Sequence, residues 1–270
     1  MTVAKNDEAT IAFVIGAALP YVDHYIYFDT GSTDRSMRIV QELFKSEIAA
    51  GKVGVYQKDV GTAIWQARQL ALGELQLQDI DFFLKLDGDD VCYDRWIREV
   101  SVRCQFKTDE INNVWVGARE LYQWKAETSI EWLTRLLDKS NQFYEMTKHN
   151  SQHYDYGCPS RIQNTHDAYA RGNWCDESQG KSAEGIYHNV SRGEARWNVP
   201  LVAHYGWARP MKEKQAKAAV RYGEKKDWSE RVQDLHQHPH HLLRGLIKFD
   251  EHPEIFRRLG PKVLELLKEI

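Results

Sequence analysis

The stretch FFLKLDGDDV, residues 82–91, closes an apolar run with three carboxylates in four positions: Asp87, Asp89 and Asp90. Carboxylates crowded this closely repel one another, and each prefers water or a cation to an apolar neighbour. A hard divalent cation relieves that repulsion, because Mg²⁺ and Mn²⁺ take oxygen ligands and commonly bind one or two carboxylates together with substrate phosphates. An acidic surface turn is the plain alternative, since D-x-D is short and frequent by chance. A second acidic turn, Asp29-Thr30-Gly31-Ser32-Thr33-Asp34, follows the aromatic and β-branched run VDHYIYF. Gly31 permits a tight reversal, and Ser32, Thr33 and Asp34 can satisfy the N–H groups that open the next helix. That turn reads equally well as a capped β–α connection and nothing more. Near the end of the chain, HYGWARPMKEK sets Arg209, Lys212 and Lys214 close together, cations suited to closing over a diphosphate.

Two acidic turns serve one site only if the same sheet presents both. The chain supports that arrangement. Thr2 to Lys5 reads as a short extended segment, and Asn6-Asp7-Glu8 can cap a helix running to about Ala18. Val22 to Phe28 reads as a strand ending at Asp29, and the spacing of Met37, Ile39, Val40, Leu43, Phe44 and Ile48 predicts a helix. A strand over Lys52–Gln57, a helix over Ile64–Leu75 and a strand over Asp81–Leu86 follow. This alternation, repeating about every 25 to 30 residues, predicts an α/β fold with a mixed, mainly parallel sheet flanked by helices. In such sheets ligands bind at the carboxyl ends of the strands, which is where both turns fall. From Trp115 to about Gly185 the periodicity loosens. From Pro210 the pattern predicts helices over Met211–Trp228, Leu242–Phe249, Pro253–Leu259 and Val263–Lys268. The expected division is therefore 1–208 as the main domain, in halves 1–105 and 106–208, with 209–270 as a helical C-terminal extension.

The chain has 270 residues, 42% hydrophobic and 28% charged, with 17 Gly and 7 Pro, which suits a folded protein with a sizeable core. Its four cysteines, Cys92, Cys104, Cys158 and Cys175, lie far apart without a C-x-x-C pair, so they read as free thiols. The opening MTVAKNDEAT is polar within four residues, which argues against a signal peptide, and no apolar run approaches the roughly 20 residues of a membrane span. A cytoplasmic protein is the expectation. Net charge is −3, yet from Arg209 onward 14 Lys and Arg meet 10 Asp and Glu, against 22 and 29 before it. A mildly basic tail of this kind is commonly a solvated helix face, and the overall charge argues against broad nucleic-acid affinity.

Four segments in order, AKNDE at 4–8, VDHYIYFDTGSTDRS, Ala67-Arg68-Gln69 and FFLKLDGDDV, resemble the successive motifs of family 2 glycosyltransferases of the GT-A fold. HYGWARP followed by MKEKQ resembles the closing motif of a bacterial and phage branch of that family, which implies the cytoplasm of a bacterium or of a virus-infected cell. The resemblance covers residues 1 to about 105 and the closing motif, and is weak over 106–185. It implies a metal-dependent transferase that moves a sugar from a UDP- or GDP-sugar to an acceptor hydroxyl with inversion, using Mn²⁺ or Mg²⁺. By the same resemblance Asp29 contacts the base or ribose, and Lys5, Arg68, Asp87 and Arg209 border the nucleotide. Asp87, Asp89 and His204 are the metal set it implies. Two departures stand out: Gln69 where the family usually has Asn, and Asn189 after His188 where it often has Glu.

Inversion requires a base for the acceptor hydroxyl. Asp176, Glu177 and Glu184 are the candidates, as acids in the aromatic-rich segment, with a solvated loop acid as the plain reading of each. Trp174, Trp197 and Trp207 can stack on sugar rings, although tryptophans more often pack cores. His236, His238, His240 and His241 lack an acid or Cys companion and are broken by Pro239, so they read as an exposed loop. The acceptor stays open between a glycan, a lipid-linked species and a modified nucleic-acid base. Two other functions compete: a catalytically silent nucleotide- or glycan-binding module of the same fold, and a sugar nucleotidyltransferase. The second usually carries a Gly-rich loop where this chain has Lys5-Asn6-Asp7-Glu8.

Overall fold

The computed structural model describes residues 1–61, 64–77, 82–106, 114–123, 126–138, 143–146, 159–161, 195–213, 246–249 and 251–269. In chain order the elements are β1 (Thr2–Ala4), α1 (Ile11–Ala18), β2 (Tyr25–Asp29), α2 (Ser36–Leu43), α3 (Lys45–Ala49), β3 (Val53–Gln57), α4 (Ile64–Gln76), β4 (Phe82–Leu84), β5 (Leu86–Asp87) and β6 (Asp90–Cys92). There follow α5 (Asp94–Phe106), β7 (Val114–Gln123), α6 (Ser129–Asp138), β8 (Phe143–Met146), β9 (Pro159–Arg161), β10 (Ala195–Trp207), β11 (Leu246–Phe249) and α7 (Ile255–Lys268).

The first sheet has the order β3-β2-β1-β5, every pair parallel. All five residues of β2, YIYFD, are buried, as a central strand covered on both faces requires. The eight residues of α1, IAFVIGAA, are also all buried, so this helix has no polar face and lies inside the molecule. Ala4 lies level with Asp29 on one side of β1, and Val3 with Asp87 on the other. The two acidic turns thus leave the same carboxyl edge, two strand spacings or about 10 Å apart.

A second, mixed sheet runs β11-β8-β7-β10-β6, in which β10 is parallel to β7 and antiparallel to β6. Its register pairs His204 directly with Asp90. Strand β10 is held from behind by an aromatic cluster: the Trp132 ring meets those of Tyr205, Phe143 and Phe256 edge-on at 5.6–6.1 Å. Trp132 Nε1 donates to the Ala208 carbonyl, and Phe13 of α1 contacts Phe256 at 4.3 Å. Each such buried ring contributes about 1.5–3 kcal/mol, so the cluster fixes the segment that carries His204 and Arg209.

Four local expectations are corrected. The strand expected over Asp81–Leu86 is two: β4 pairs antiparallel with β9, while β5 turns to join β1. The helix expected from Met37 to Ile48 breaks at Phe44, whose φ of −115° is not helical. Leu246–Phe249 forms a strand against β8 rather than a helix, because a short helix is marginal alone whereas the pairing of Phe249 with Phe143 buries both rings. The last two helices are one, α7, continuous through Pro261. Its buried stripe of Ile255, Phe256, Gly260, Val263 and Leu267 packs against α1 and α6, and that packing outweighs the hydrogen bond Pro261 cannot make. The C-terminal elements β11 and α7 therefore belong to the same core as α1 and β2. No helix among the described residues is long and apolar enough to cross a membrane.

Candidate active site

Residues 5–10, between β1 and α1, tie the two acidic turns together. Asn6 N–H donates to Ser32 Oγ (2.9 Å), and its side-chain oxygen accepts from Thr33 N–H (2.8 Å); its φ of +55° is one that Asn tolerates. Asp7 N–H donates to Ser36 Oγ, and Glu8 N–H to Asp34 Oδ2. On the other side Thr10 Oγ1 donates to the Gly88 carbonyl at 2.6 Å. A Cβ on residue 88 would lie 2.4 Å from Asp7 Oδ2, so only glycine lets the second turn approach this closely.

Asp29 is wholly buried, and its carboxylate closes its own turn. Oδ1 accepts from Gly31 N–H (2.9 Å) and Ser32 N–H (2.8 Å), and Oδ2 accepts from the Tyr27 hydroxyl (2.9 Å). Gly31, at φ +95°, provides the left-handed residue the turn needs. Lys5 Nζ lies 3.8 Å from Asp59 Oδ1, beside this turn.

The second turn divides its three carboxylates. Asp87 faces Lys85 Nζ at 3.1 Å and Arg68 Nη2 at 3.5 Å. Burial raises its carboxyl, but these two cations outweigh burial and hold it below the usual range. Asp89 and Asp90 turn instead toward His204, with Nδ1 2.8 Å from Asp90 Oδ1 and 3.7 Å from Asp89 Oδ1. Ligand atoms of Asp89, Asp90 and His204 all lie within 4.8 Å of one another. Burial pushes Asp90 up to about 6 despite its imidazole partner. Burial alone lowers His204, yet Asp89 and Asp90 more than reverse it and lift the imidazole to about 9. Between those values the pair is ionic.

Arg209 reaches this group from the turn after β10. Its Nε donates to Asp89 Oδ2 at 2.9 Å, its Nη1 pairs with Asp7 Oδ1, and Glu213 Oε2 lies 3.8 Å away. Burial disfavours its charge, and Asp7, Asp89 and Glu213 together restore it and raise the guanidinium above its ordinary value. Arg209, expected among the cations that close over a diphosphate, here joins Asp89 to Asp7. A guanidinium has five fixed donors, and three surrounding acids can use them.

Of the three residues expected to hold a metal, the structure brings together Asp89 and His204; Asp87 pairs with cations, and Asp90 completes the cluster. A carboxylate and an imidazole, Asp89 and His204, are donors that a divalent cation such as Mn²⁺ accepts, with Asp90 beside the imidazole. Asp90 and Asp7 were missed as site residues. Asp90 had a signal, because it opens the apolar run Val91-Cys92-Tyr93 and must enter the interior with that strand. Asp176, Glu177, Glu184, Trp174, Asn189, Lys214 and the histidines at 236–241 lie outside the described residues. Among the described residues Cys92 is a buried free thiol.

No model of a protein family matches the chain, and no curated protein does. Solved structures do. Staphylococcus aureus TarS 1–349 in complex with UDP matches with a TM-score of 0.50 at 13% identity, over 99% of this chain and 82% of that one. Glucosyl-3-phosphoglycerate synthase from Mycobacterium tuberculosis in complex with Mg²⁺ and UDP matches with a TM-score of 0.43 at 17% identity, over 84% and 80%. A further S. aureus TarS structure is covered over only 21% of its chain, at a TM-score of 0.36. Likeness at such identities concerns the fold: a mixed α/β domain with a parallel sheet flanked by helices, as in GT-A glycosyltransferases.

Proposed function

We propose that the chain is a metal-dependent glycosyltransferase that moves a sugar from a nucleoside-diphosphate-sugar to an acceptor hydroxyl with inversion. One observation carries the reading: Asp89 and His204, 115 positions apart in the chain, converge with Asp90 at the carboxyl edge of a parallel sheet. The UDP in the similarly folded S. aureus TarS 1–349 structure supports it.

In this reading Asp89 and His204 hold a divalent cation. When bound, the cation neutralises the charge that grows on the departing diphosphate. Asp29 shapes the turn that receives the nucleotide, through the N–H groups of Gly31 and Ser32. Lys5 borders that turn, while Arg68 and Lys85 stand along the diphosphate side, oriented by Asp87. Arg209 holds Asp89 in place from behind. An acid among Asp176, Glu177 and Glu184 takes the acceptor proton. The acceptor is a glycan, a lipid-linked species or a modified nucleic-acid base.

Calorimetric titration with UDP- and GDP-sugars, with and without Mn²⁺, tests the proposal. Donor binding that requires the metal, followed by slow donor hydrolysis, is expected. Absence of metal-dependent nucleotide binding in every combination ends the reading. Binding with neither hydrolysis nor transfer points to a silent module, and pyrophosphate release from a nucleoside triphosphate to a nucleotidyltransferase.

A further inference from the structure

We infer that Asp90 is a positioning residue that acts through His204, fixing which imidazole nitrogen faces the metal; this rests on the proposed metal site. Asp90 sits on β6 directly across from His204 on β10, and its side chain is 1% exposed. Both of its oxygens are engaged. Oδ1 takes His204 Nδ1 at 2.8 Å, and Oδ2 accepts the backbone N–H of Asp87 at 2.9 Å. A carboxylate held at both oxygens inside a sheet is a poor candidate for a direct ligand and a good one for orienting an imidazole, as carboxylates behind metal-bound histidines commonly do.

With Nδ1 turned to Asp90, the ligand nitrogen is Nε2. The backbone makes room on that side. A Cβ on residue 206 would run into the His204 ring at Nε2, so only glycine fits beside this edge of the imidazole.

The test is a double-mutant cycle read by calorimetry with Mn²⁺ alone, on the full chain, using Asp90→Asn, His204→Ala and the double variant. Asp90→Asn should weaken Mn²⁺ binding by about 10- to 100-fold. The double variant should bind no more weakly than His204→Ala, because Asp90 has nothing left to act through. A further loss in the double variant, or wild-type affinity in Asp90→Asn, overturns the inference. A second measurement needs neither metal nor variant: ¹⁵N NMR of histidine-labelled wild-type chain, in buffer alkaline enough to leave the imidazole neutral. The His204 proton should reside on Nδ1; a proton on Nε2 overturns the inference. If the wild-type chain binds no Mn²⁺, the proposed function loses its metal, while the NMR spectrum still decides whether Asp90 sets the tautomer.

Discussion

The turns at 29–34 and 87–90 leave the same sheet edge on either side of β1, and both begin with an Asp. They use their carboxylates in opposite ways. Asp29 takes the N–H groups of Gly31 and Ser32, two and three residues away, and the Tyr27 hydroxyl, and Gln57 Nε2 of the neighbouring strand adds a longer contact at 3.4 Å. Asp89 and Asp90 meet a guanidinium and an imidazole from beyond residue 200, while Asp87 meets Lys85 and Arg68. An acid whose oxygens are taken by nearby N–H and O–H donors becomes part of the scaffold; Asp89 and Asp90 also draw in cations from far along the chain, although Asp90 Oδ2 accepts the nearby Asp87 N–H. The first turn is thus held by its own donors and by Asn6 and Glu8 of the first half, whereas the second depends on β10 being in place.

That contrast predicts unequal mutational costs. Arg209→Ala should destabilise most, by about 3–5 kcal/mol in urea unfolding, because Asp7 and Asp89 would be left buried without their counter-charge. A loss below about 1 kcal/mol would show that the acids are solvated or protonated instead. Next comes pH. The folded His204 value of about 9 exceeds the ordinary 6.5, so its contribution to stability is complete below pH 6.5 and is lost as pH rises through 9. Mn²⁺ must displace that proton, so its affinity should rise by about tenfold per pH unit between about 6.5 and 9 and then level off. A flat calorimetric profile across that range would contradict an ionic Asp90–His204 pair.

Smaller effects are expected at the first turn. Gly31→Ala places a side chain at φ +95° with Asp59 Cγ 3.1 Å from the new Cβ, at a cost of about 1–2 kcal/mol in thermal or urea unfolding. Asp29→Asn retains an oxygen for the Gly31 and Ser32 donors and should cost only about 0.5–1.5 kcal/mol. Its Mn²⁺ affinity should stay within about twofold of wild type, whereas Asp89→Asn should lower it by about 10-fold or more. Equal losses of Mn²⁺ affinity in the two variants would erase the distinction between the turns.

Much of the first half was legible because its signals are local. The apolar runs of β2 and β3 and the cap-rich DTGSTD turn each state their structure within a few residues. The second half was harder to read, since β8 and β11 are four-residue strands whose pairing connects positions about 100 residues apart. At the site, the sequence singles out Asp89 and His204, and the structure brings the two together. The role of Asp90 was not, because it follows from one cross-strand register, and a shift of a single residue would turn its side chain to the other face of the sheet. The pairing of Arg209 with acids is not legible in the sequence, because its three acidic partners come from three different segments.

The sequence by itself determined the α/β alternation, the two acid-bearing turns at strand ends and the excess of carboxylate that demands a cation, because each of these depends on neighbours within one element. Tertiary structure alone decided which partner each of these acids meets. It set Asp87 against Lys85 and Arg68, set Asp90 against His204, and drew Arg209 between Asp7 and Asp89. The physical reason is that charge pairing acts over a few ångströms of space without regard to distance along the chain, so partners are chosen only once strands have found their register.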